Sequence, residues 1–187
     1  TCLVQIGIEG MIAIIDPLAL ASLKPLARPF TNPDILKIFH ACSQDMEILL
    51  RETGVLPAPV FDTQIAATLL GKNQQPSYAL LVSQYCDVEL AKKDSFTDWS
   101  HRPLSPSQIR YAAEDVLYLP VIHEKMVEAL KSKDRLAWLT ESFEELSEPD
   151  RYITDPYTRF LKLKRVNQLK NLSLIHISEP TRQAEIS

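Results

Sequence analysis

A tyrosine and an aspartate four residues apart, Tyr111 and Asp115, are the residues of this chain whose types and spacing most directly suggest chemistry. At positions i and i+4 of a helix, two side chains lie one above the other on the same face. A phenol one turn from a carboxylate, on a face that the core does not need, could form a chemical site. A solvated helix face with an incidental Tyr–Asp pair explains the same spacing, and periodicity alone favours that second interpretation.

The helix that carries this pair has a clear start in the sequence. Ser105 can act as the N-cap, Pro106 suits the first helical position, and Gln108 completes a capping box. We expect the helix to run to Leu119, to kink at Pro120 and to continue to residue 130. The stripe expected to face the core consists of Ile109, Ala112, Ala113, Val116 and Pro120.

Asp45 is a second candidate for chemistry. It follows an apolar run at residues 35–39, expected to be a strand, and it falls in the first turn of a helix predicted to have Ser43 as N-cap and to stop near Gly54. Ligands of α/β proteins gather at the carboxyl ends of strands, which makes this position suggestive. An acid in a first turn also favours the helix dipole wherever it occurs, and alone that structural explanation is the stronger one. Asp62, after the short strand Val60-Phe61, is interpreted as a plain N-cap without chemistry.

The remaining pattern predicts an α/β fold, a mixed sheet flanked by helices. Two β-branched runs, 3–8 and 12–15, are separated by Glu9-Gly10, which is a hairpin signal. Strands then alternate with helices along the chain, which places helices on the faces of the sheet. The further helices are expected to end at Gly71 and to cover residues 78–85.

The composition excludes several classes of protein. The chain has 187 residues, 45% apolar and 24% charged, with a net charge of −4, as in ordinary globular proteins. No stretch is long and apolar enough to cross a bilayer, so no membrane partner is expected. The four glycines lack the spacing of a P-loop or a dinucleotide fingerprint, so no nucleotide cofactor is expected. Three cysteines without short spacing argue against a zinc or disulfide framework and favour a reducing, cytoplasmic setting.

Three segments of the chain read KIFHACSQDMEILL, FDTQIAATLLG and TDWSHRPLSPSQIRYAAEDVLYL. From about residue 3 to residue 130, the chain that contains these segments resembles ribonuclease D. This family comprises 3′–5′ exoribonucleases of the DEDDy group on a ribonuclease-H-like fold. The histidine-type exonucleases carry His five residues before the last aspartate, where this chain has Arg110. The proofreading type of DNA exonuclease is therefore disfavoured.

The resemblance implies roles for particular residues. Asp45 matches the aspartate of the second exonuclease motif, Asp115 that of the third motif, and Tyr111 its tyrosine. Two divalent cations, Mg²⁺ or Mn²⁺, are implied as cofactors, with Asp45 and Asp115 as ligands, because hard carboxylate oxygens suit these ions. Asp115 and Tyr111 are the implied catalytic residues, and Tyr111 would orient the attacking water.

The first motif, Asp-x-Glu on the strand before residue 3, has no counterpart in the chain. The local Asp45-Met46-Glu47 cannot replace it, because on a helix positions i and i+2 point about 200° apart. We therefore expect that the first, central strand of the sheet is missing and that the chain as printed is inactive.

The resemblance and the charge pattern also predict a domain organisation. Residues 1–150 are expected to be the exonuclease domain without its first strand and first motif. Residues 151–171 include a basic run and are expected to be a linker and the start of an HRDC-like helical domain. Residues 172–182 read LSLIHISEPTR, which resembles a translated sequencing adapter, so residues 172–187 are interpreted as a non-native tail.

The expected function of the parent protein is metal-dependent 3′–5′ exoribonuclease activity at RNA 3′ ends. The expected substrates are tRNA precursors or other structured RNA 3′ ends, and a monomer is favoured. Two alternatives stay open: a non-catalytic nucleic-acid-binding module with a degenerate site, and a DNA-directed 3′–5′ exonuclease of the same group. The choice between RNA and DNA depends on 2′-hydroxyl contacts, which the sequence does not reveal.

Three other residues allow two interpretations each. His40 is more readily explained as a packed residue at a strand end than as a substrate contact. Trp99 could stack on a base, but it is better explained as a loop anchor beside the helix that starts at Pro106. For Arg102, a phosphate contact and a salt bridge that positions its loop are equally open.

Overall fold

The chain opens with the β-hairpin that its β-branched runs predict. In a computed structural model, which describes residues 2–71, 75–90 and 97–152, β1 (Val4–Ile8) pairs antiparallel with β2 (Met11–Ile15). Gly10 takes φ +75° in the turn, a left-handed conformation that glycine adopts without steric cost. A second pair of strands, β3 (Lys37–Phe39) and β4 (Val60–Asp62), runs parallel, with Lys37 opposite Val60.

Within the described ranges the four strands form two separate two-stranded sheets, one antiparallel and one parallel. Helix α5 (Pro106–Leu117) packs on β1 and β2. Helix α6 (Leu119–Ser132) follows it closely and packs on β3 and against α3 (Thr63–Leu69) and α4 (Tyr78–Cys86). The predicted α/β class is confirmed, whereas the strands expected to form one mixed sheet are divided, in the described ranges, between these two sheets. The helices are α1 (Ala27–Thr31), α2 (Ser43–Thr53), α3 (Thr63–Leu69), α4 (Tyr78–Cys86), α5 (Pro106–Leu117), α6 (Leu119–Ser132) and α7 (Leu139–Leu146), and short 3₁₀ turns cover Lys24–Leu26, Leu136–Trp138 and Pro149–Arg151.

The chain divides into two compact units, residues 1–148 and 149–187. The four strands and the helices α1 to α7 lie in the first unit. The interpretations of the basic run and of residues 172–187 concern residues outside the described ranges. Across the part of the chain that is described, no helix combines the length and the apolar character needed to span a membrane.

The hydrophobic core lies where α3, α4 and α6 meet β4. Phe61 of β4 packs edge-on against His123, with ring centroids 4.6 Å apart, and its centroid lies 5.0 Å from that of Phe143 on α7. Burial of these side chains is the main favourable contribution to folding. The buried members of the cluster are Phe61, Ala66, Ala67, Leu81, Val82, Ile122, Met126, Leu130 and Leu139.

The first turn of α2 differs from the prediction. The helix begins at Ser43, but the N-cap position belongs to Cys42, and the Ser43 hydroxyl does not cap the helix. The backbone N–H of Cys42 donates instead to the carboxylate of Asp62, 20 residues later. The predicted stop is confirmed, because Gly54 takes φ +81° at the C-cap.

The buried face of α5 also differs from the predicted stripe. Ala112 is fully buried as expected, but Ile109 is 47% exposed and Gln108 is buried in its place. The Gln108 amide accepts from the N–H of Ser105 and donates to the carbonyl of Asp98, so its burial leaves these groups hydrogen-bonded. The capping box is confirmed, and the break before Pro120 comes at Tyr118, slightly earlier than predicted.

The strand predicted from residue 35 begins at Lys37, and Ile35 and Leu36 are exposed. Lys37 is buried, and its ammonium group donates to the carbonyl oxygens of Asn32, Ile35 and Ala58. These bonds stabilise a curved connection in place of two further strand residues. Desolvation lowers the pKa of Lys37.

Candidate active site

Tyr111 and Asp115, the pair predicted from spacing, line one cavity of about 230 Å³. Both side chains are half-buried on α5. The face of α5 that periodicity alone would leave to solvent is therefore one wall of a concave site. The opposite walls come from the N-terminal segment and from the loop before α5, and the other lining residues are Cys2, Leu3, Gln5 and Trp99.

The close approach of α5 to β1 places the helix at this cavity. A Cβ atom at Gly7 of β1 would lie 3.3 Å from the carbonyl oxygen of Val116 and 3.4 Å from its side chain. Glycine at this position therefore allows the helix backbone to lie directly on the strand. Gln5, two residues earlier on the same strand, faces the cavity of Asp115.

Trp99 lies beside Tyr111 in the cavity. Their ring centroids are 5.7 Å apart and the ring planes are tilted by 48°. Aromatic pairs at this separation attract each other beyond simple burial of area. Trp99 thus packs against the α5 helix, as the loop-anchor interpretation predicts, and it also contributes a wall of the cavity.

Arg102 connects two walls of the cavity. Its Nε and Nη2 atoms donate to the two carboxylate oxygens of Asp16 at 2.6 and 2.8 Å. Nη1 donates to the carbonyls of Trp99 and His101, and Nη2 also donates to the carbonyl of Cys2 at 3.0 Å. These bonds engage every N–H group of the guanidinium. The structure therefore supports the salt-bridge interpretation of Arg102 rather than a phosphate contact, and the hydrogen bond from Arg102 lowers the pKa of Asp16.

Burial of the Asp115 carboxyl makes it a weaker acid than an ordinary aspartate. Desolvation raises its pKa to about 6, and the neighbouring charge of Glu114 adds to the effect. Because burial destabilises the ionised form of this carboxyl, a nearby cation would stabilise that form strongly. Perturbed pKa values of this kind are common at functional sites.

Asp45 lies in the first turn of α2, as predicted, but outside this cavity as its described residues define it. The residue as a whole is exposed, yet desolvation raises the pKa of its carboxyl, and the charge of Asp62 raises it further. The structure thus brings Tyr111 and Asp115 together at one cavity. It places Asp45 on a different element, α2, where the charge of Asp62 acts on the Asp45 carboxyl.

Asp62 has a second structural role in addition to the predicted N-cap. Its carboxylate accepts from the N–H groups of Gln64 and Ile65 at the start of α3, which confirms the cap. It also accepts from the N–H groups of Ala41 and Cys42, at 3.1 and 2.8 Å. Ala41 has φ +58°, a conformation that costs an alanine energy. Asp62 therefore stabilises the turn that leads into the Asp45 helix, a role with no local signal in the sequence.

Replacing Asp62 by alanine should destabilise the protein by about 2–3 kcal/mol. About 1 kcal/mol comes from the lost N-cap, and the rest from buried N–H groups left without partners. The measurement is urea unfolding monitored by circular dichroism, with the exposed Asp34→Ala as control. A loss for Asp62→Ala no larger than that of the control would contradict this account of the turn.

The donor chemistry of Asp45 and Asp115 fits a divalent cation. Carboxylate oxygens are the ligands that Mg²⁺ and Mn²⁺ prefer. Neither carboxylate forms an ion pair with a residue in the described ranges, and both have raised pKa values. Among those same residues, no three Asp, Glu, His or Cys side chains gather into a metal-binding group. The two aspartates can therefore supply part of a ligand set.

Comparison with solved structures places this arrangement in a known fold. Escherichia coli RNase D, described as an exoribonuclease involved in structured RNA processing, superposes with a TM-score of 0.80 at 33% identity, over 95% of this chain and 47% of that one. Brucella melitensis NrnC with bound Mg²⁺ has a TM-score of 0.72 at 28% identity, over 87% of this chain and 79% of that one. The ribonuclease-H-like class predicted from the sequence is confirmed.

Curated relatives point in the same direction. Ribonuclease D of Zymomonas mobilis is 44% identical over 169 residues, covering 89% of this chain and 43% of the relative. Ribonuclease D of Granulibacter bethesdensis is 40% identical over 186 residues, covering 98% of this chain and 47% of the relative. This chain therefore spans less than half the length of these relatives. The 3′–5′ exonuclease family model matches residues 1–131. A match over that much of the chain, on the same fold as RNase D, makes the protein a member of the 3′–5′ exonuclease family.

Proposed function

We propose that the protein containing this chain is a metal-dependent 3′–5′ exoribonuclease that removes nucleotides from RNA 3′ ends. The observation that carries the proposal is the cavity shared by Tyr111 and Asp115, in a chain whose relatives are ribonucleases D. Structured RNAs such as tRNA precursors are the proposed substrates, acted on by a cytoplasmic monomer. The description of E. coli RNase D supports the choice of structured RNA.

The proposed chemistry assigns a role to each predicted site residue. Asp45 and Asp115 would hold divalent cations, Mg²⁺ or Mn²⁺. When bound, a pair of such ions stabilises the attacking and leaving oxygens of a phosphodiester. The Tyr111 phenol would orient the attacking water through a hydrogen bond, and packing against Trp99 limits the positions that its ring can take.

Two solved neighbours support the cofactor and the ligand class. One is NrnC with bound Mg²⁺, and another is NrnC bound to pGG, which is 30% identical to this chain with a TM-score of 0.71. We further propose residues 1–150 as the nuclease domain and the basic run of residues 151–171 as the start of a helical module that contacts phosphates.

The direct test is digestion of a 5′-labelled RNA by the whole protein in Mg²⁺ or Mn²⁺. The expected result is a ladder of products that each lose one nucleotide from the 3′ end and keep the label, abolished by EDTA. A DNA strand of the same sequence distinguishes an RNA-directed enzyme from a DNA-directed one. RNA binding without any shortening would instead support the non-catalytic binding module and overturn the proposal.

The raised pKa of Asp115 predicts a pH-dependent stability in metal-free protein. Between about pH 4 and pH 6 the folded state keeps a proton that the unfolded state has lost, so stability falls as pH rises through this range. Asparagine does not ionise, so the Asp115→Asn variant does not lose stability in this way as pH rises. In EDTA, the melting temperature of the variant should exceed that of the wild type by more at about pH 8 than at about pH 4.5. Thermal unfolding at both pH values checks this, and an equal difference at the two would contradict it.

A further inference from the structure

The junction between α5 and α6 lies at Tyr118, three residues after Asp115, and interrupts the helical hydrogen bonds. In a continuous helix the N–H of Tyr118 would donate to the carbonyl of Glu114, four residues earlier. Here the N–H of Tyr118 points to the carbonyl of Val116, and Pro120 has no N–H to continue the series. The carbonyl of Glu114, which belongs to the peptide that joins it to Asp115, therefore needs another donor.

The hydroxyl of Tyr78, on α4, fills this break. It donates to the carbonyl of Glu114 at 2.9 Å and accepts from the N–H of Tyr118 at 3.3 Å. A side chain inserted into the helical hydrogen bonds is a recognised cause of a kink. A phenol keeps its proton near neutral pH, so this hydroxyl can donate, and burial raises the pKa of Tyr78 still further.

The ring of Tyr78 contacts His40, in the connection that leads to Asp45, the other candidate metal ligand. Its centroid lies 5.7 Å from that of His40, at a tilt of 54°. His40 is held in turn by a 3.0 Å hydrogen bond between Nδ1 and the hydroxyl of Thr63. His40 starts the turn that ends in α2, and Asp45 lies in the first turn of that helix. Tyr78 thus contacts both the backbone at Asp115 and the connection that precedes Asp45.

We propose that Tyr78 is a positioning residue, whose hydroxyl and ring fix the backbone at Asp115 relative to the turn that leads to Asp45. The inference rests on the proposed function, because it matters for catalysis when both aspartates serve one metal-dependent site. The separation of two carboxylate ligands must hold to within a fraction of an ångström for a productive metal site. A hydroxyl that replaces a lost helical bond beside one ligand can set that separation without touching substrate.

The test is Tyr78→Phe in the whole protein, which removes the hydroxyl and keeps the ring. Tyr85→Phe is the matched control, because Tyr85 lies two turns along the same helix and also packs against the core. For Tyr78→Phe we expect kcat to fall about 10-fold, KM for RNA to stay unchanged and the half-saturating Mn²⁺ concentration to rise about 10-fold. For Tyr85→Phe we expect all three values within about twofold of the wild type.

The outcomes separate the two proposals. If the wild type shortens RNA and both variants show the same kcat and the same Mn²⁺ dependence, the role of Tyr78 is overturned while the proposed function stands. A wild type that shortens no RNA overturns the proposed function itself. A purely structural role would lower the melting temperature and leave the Mn²⁺ dependence unchanged, so assays well below the melting temperature of each variant distinguish it from positioning.

Discussion

Replacing Asp115 by asparagine is expected to lower kcat for RNA shortening by at least about 10²–10³-fold, while the affinity for RNA changes little. The amide is nearly the same size as the carboxyl, but it carries no charge and offers one oxygen where the carboxylate offers two. The lost interaction stabilises charge in the transition state. Its loss therefore lowers kcat more than it lowers the affinity for RNA. Single-turnover kinetics and fluorescence anisotropy with labelled RNA measure the two quantities.

The control for this substitution is Glu128→Gln, which removes the same charge from an exposed position on α6. We expect it to leave kcat within about twofold of the wild type, because exposed charges far from a reacting group are screened by salt. Retention of more than about a tenth of the wild-type kcat by Asp115→Asn would contradict the role assigned to this residue.

The largest effect on stability is expected from Ile122→Ala. Ile122 is fully buried in the core of α3, α4, α6 and β4. Truncating a buried isoleucine removes apolar area and leaves a cavity, at a cost of about 2–5 kcal/mol. The free energy of unfolding in urea should fall by about that amount. For a protein of this size the melting temperature should fall by roughly 10 °C.

Val121→Ala is the matched control, because Val121 is the preceding residue on the same helix and is 41% exposed. It also replaces a β-branched residue by alanine, which slightly favours the helix. Its effect should stay within about 0.5 kcal/mol. Equal losses for the two variants would show that the face of α6 carrying Ile122 is not the one that forms the core.

The elements that the sequence predicted well are those determined by neighbouring residues. The capping box of Ser105 and Gln108 forms as predicted, because both partners lie within one turn. The hairpin at Gly10 and the end of α2 at Gly54 follow from backbone conformations that glycine adopts without steric cost. Asp62 caps α3 through the N–H groups that follow it directly.

The predictions were wrong at positions where contacts with residues of other segments determine burial or backbone conformation. Periodicity predicts Ile109 in the core, but Gln108 is buried instead because the loop at Asp98 offers it a hydrogen-bond acceptor. Residues 35 and 36 look like a strand, yet the ammonium group of Lys37 draws the chain into a curved connection there. Propensity describes what a segment can form, and tertiary contacts select among those possibilities.

The sequence by itself determined the fold class, the family resemblance and the placing of Tyr111 and Asp115 on one face of a helix, because these depend on residue types and on spacing along the chain. Tertiary structure alone decided that this face borders a cavity, that the guanidinium of Arg102 is fully engaged, and that the hydroxyl of Tyr78 bridges a broken helix. The physical reason is that each of these arrangements joins groups from separate elements. Spacing along a chain does not specify how such groups meet in space.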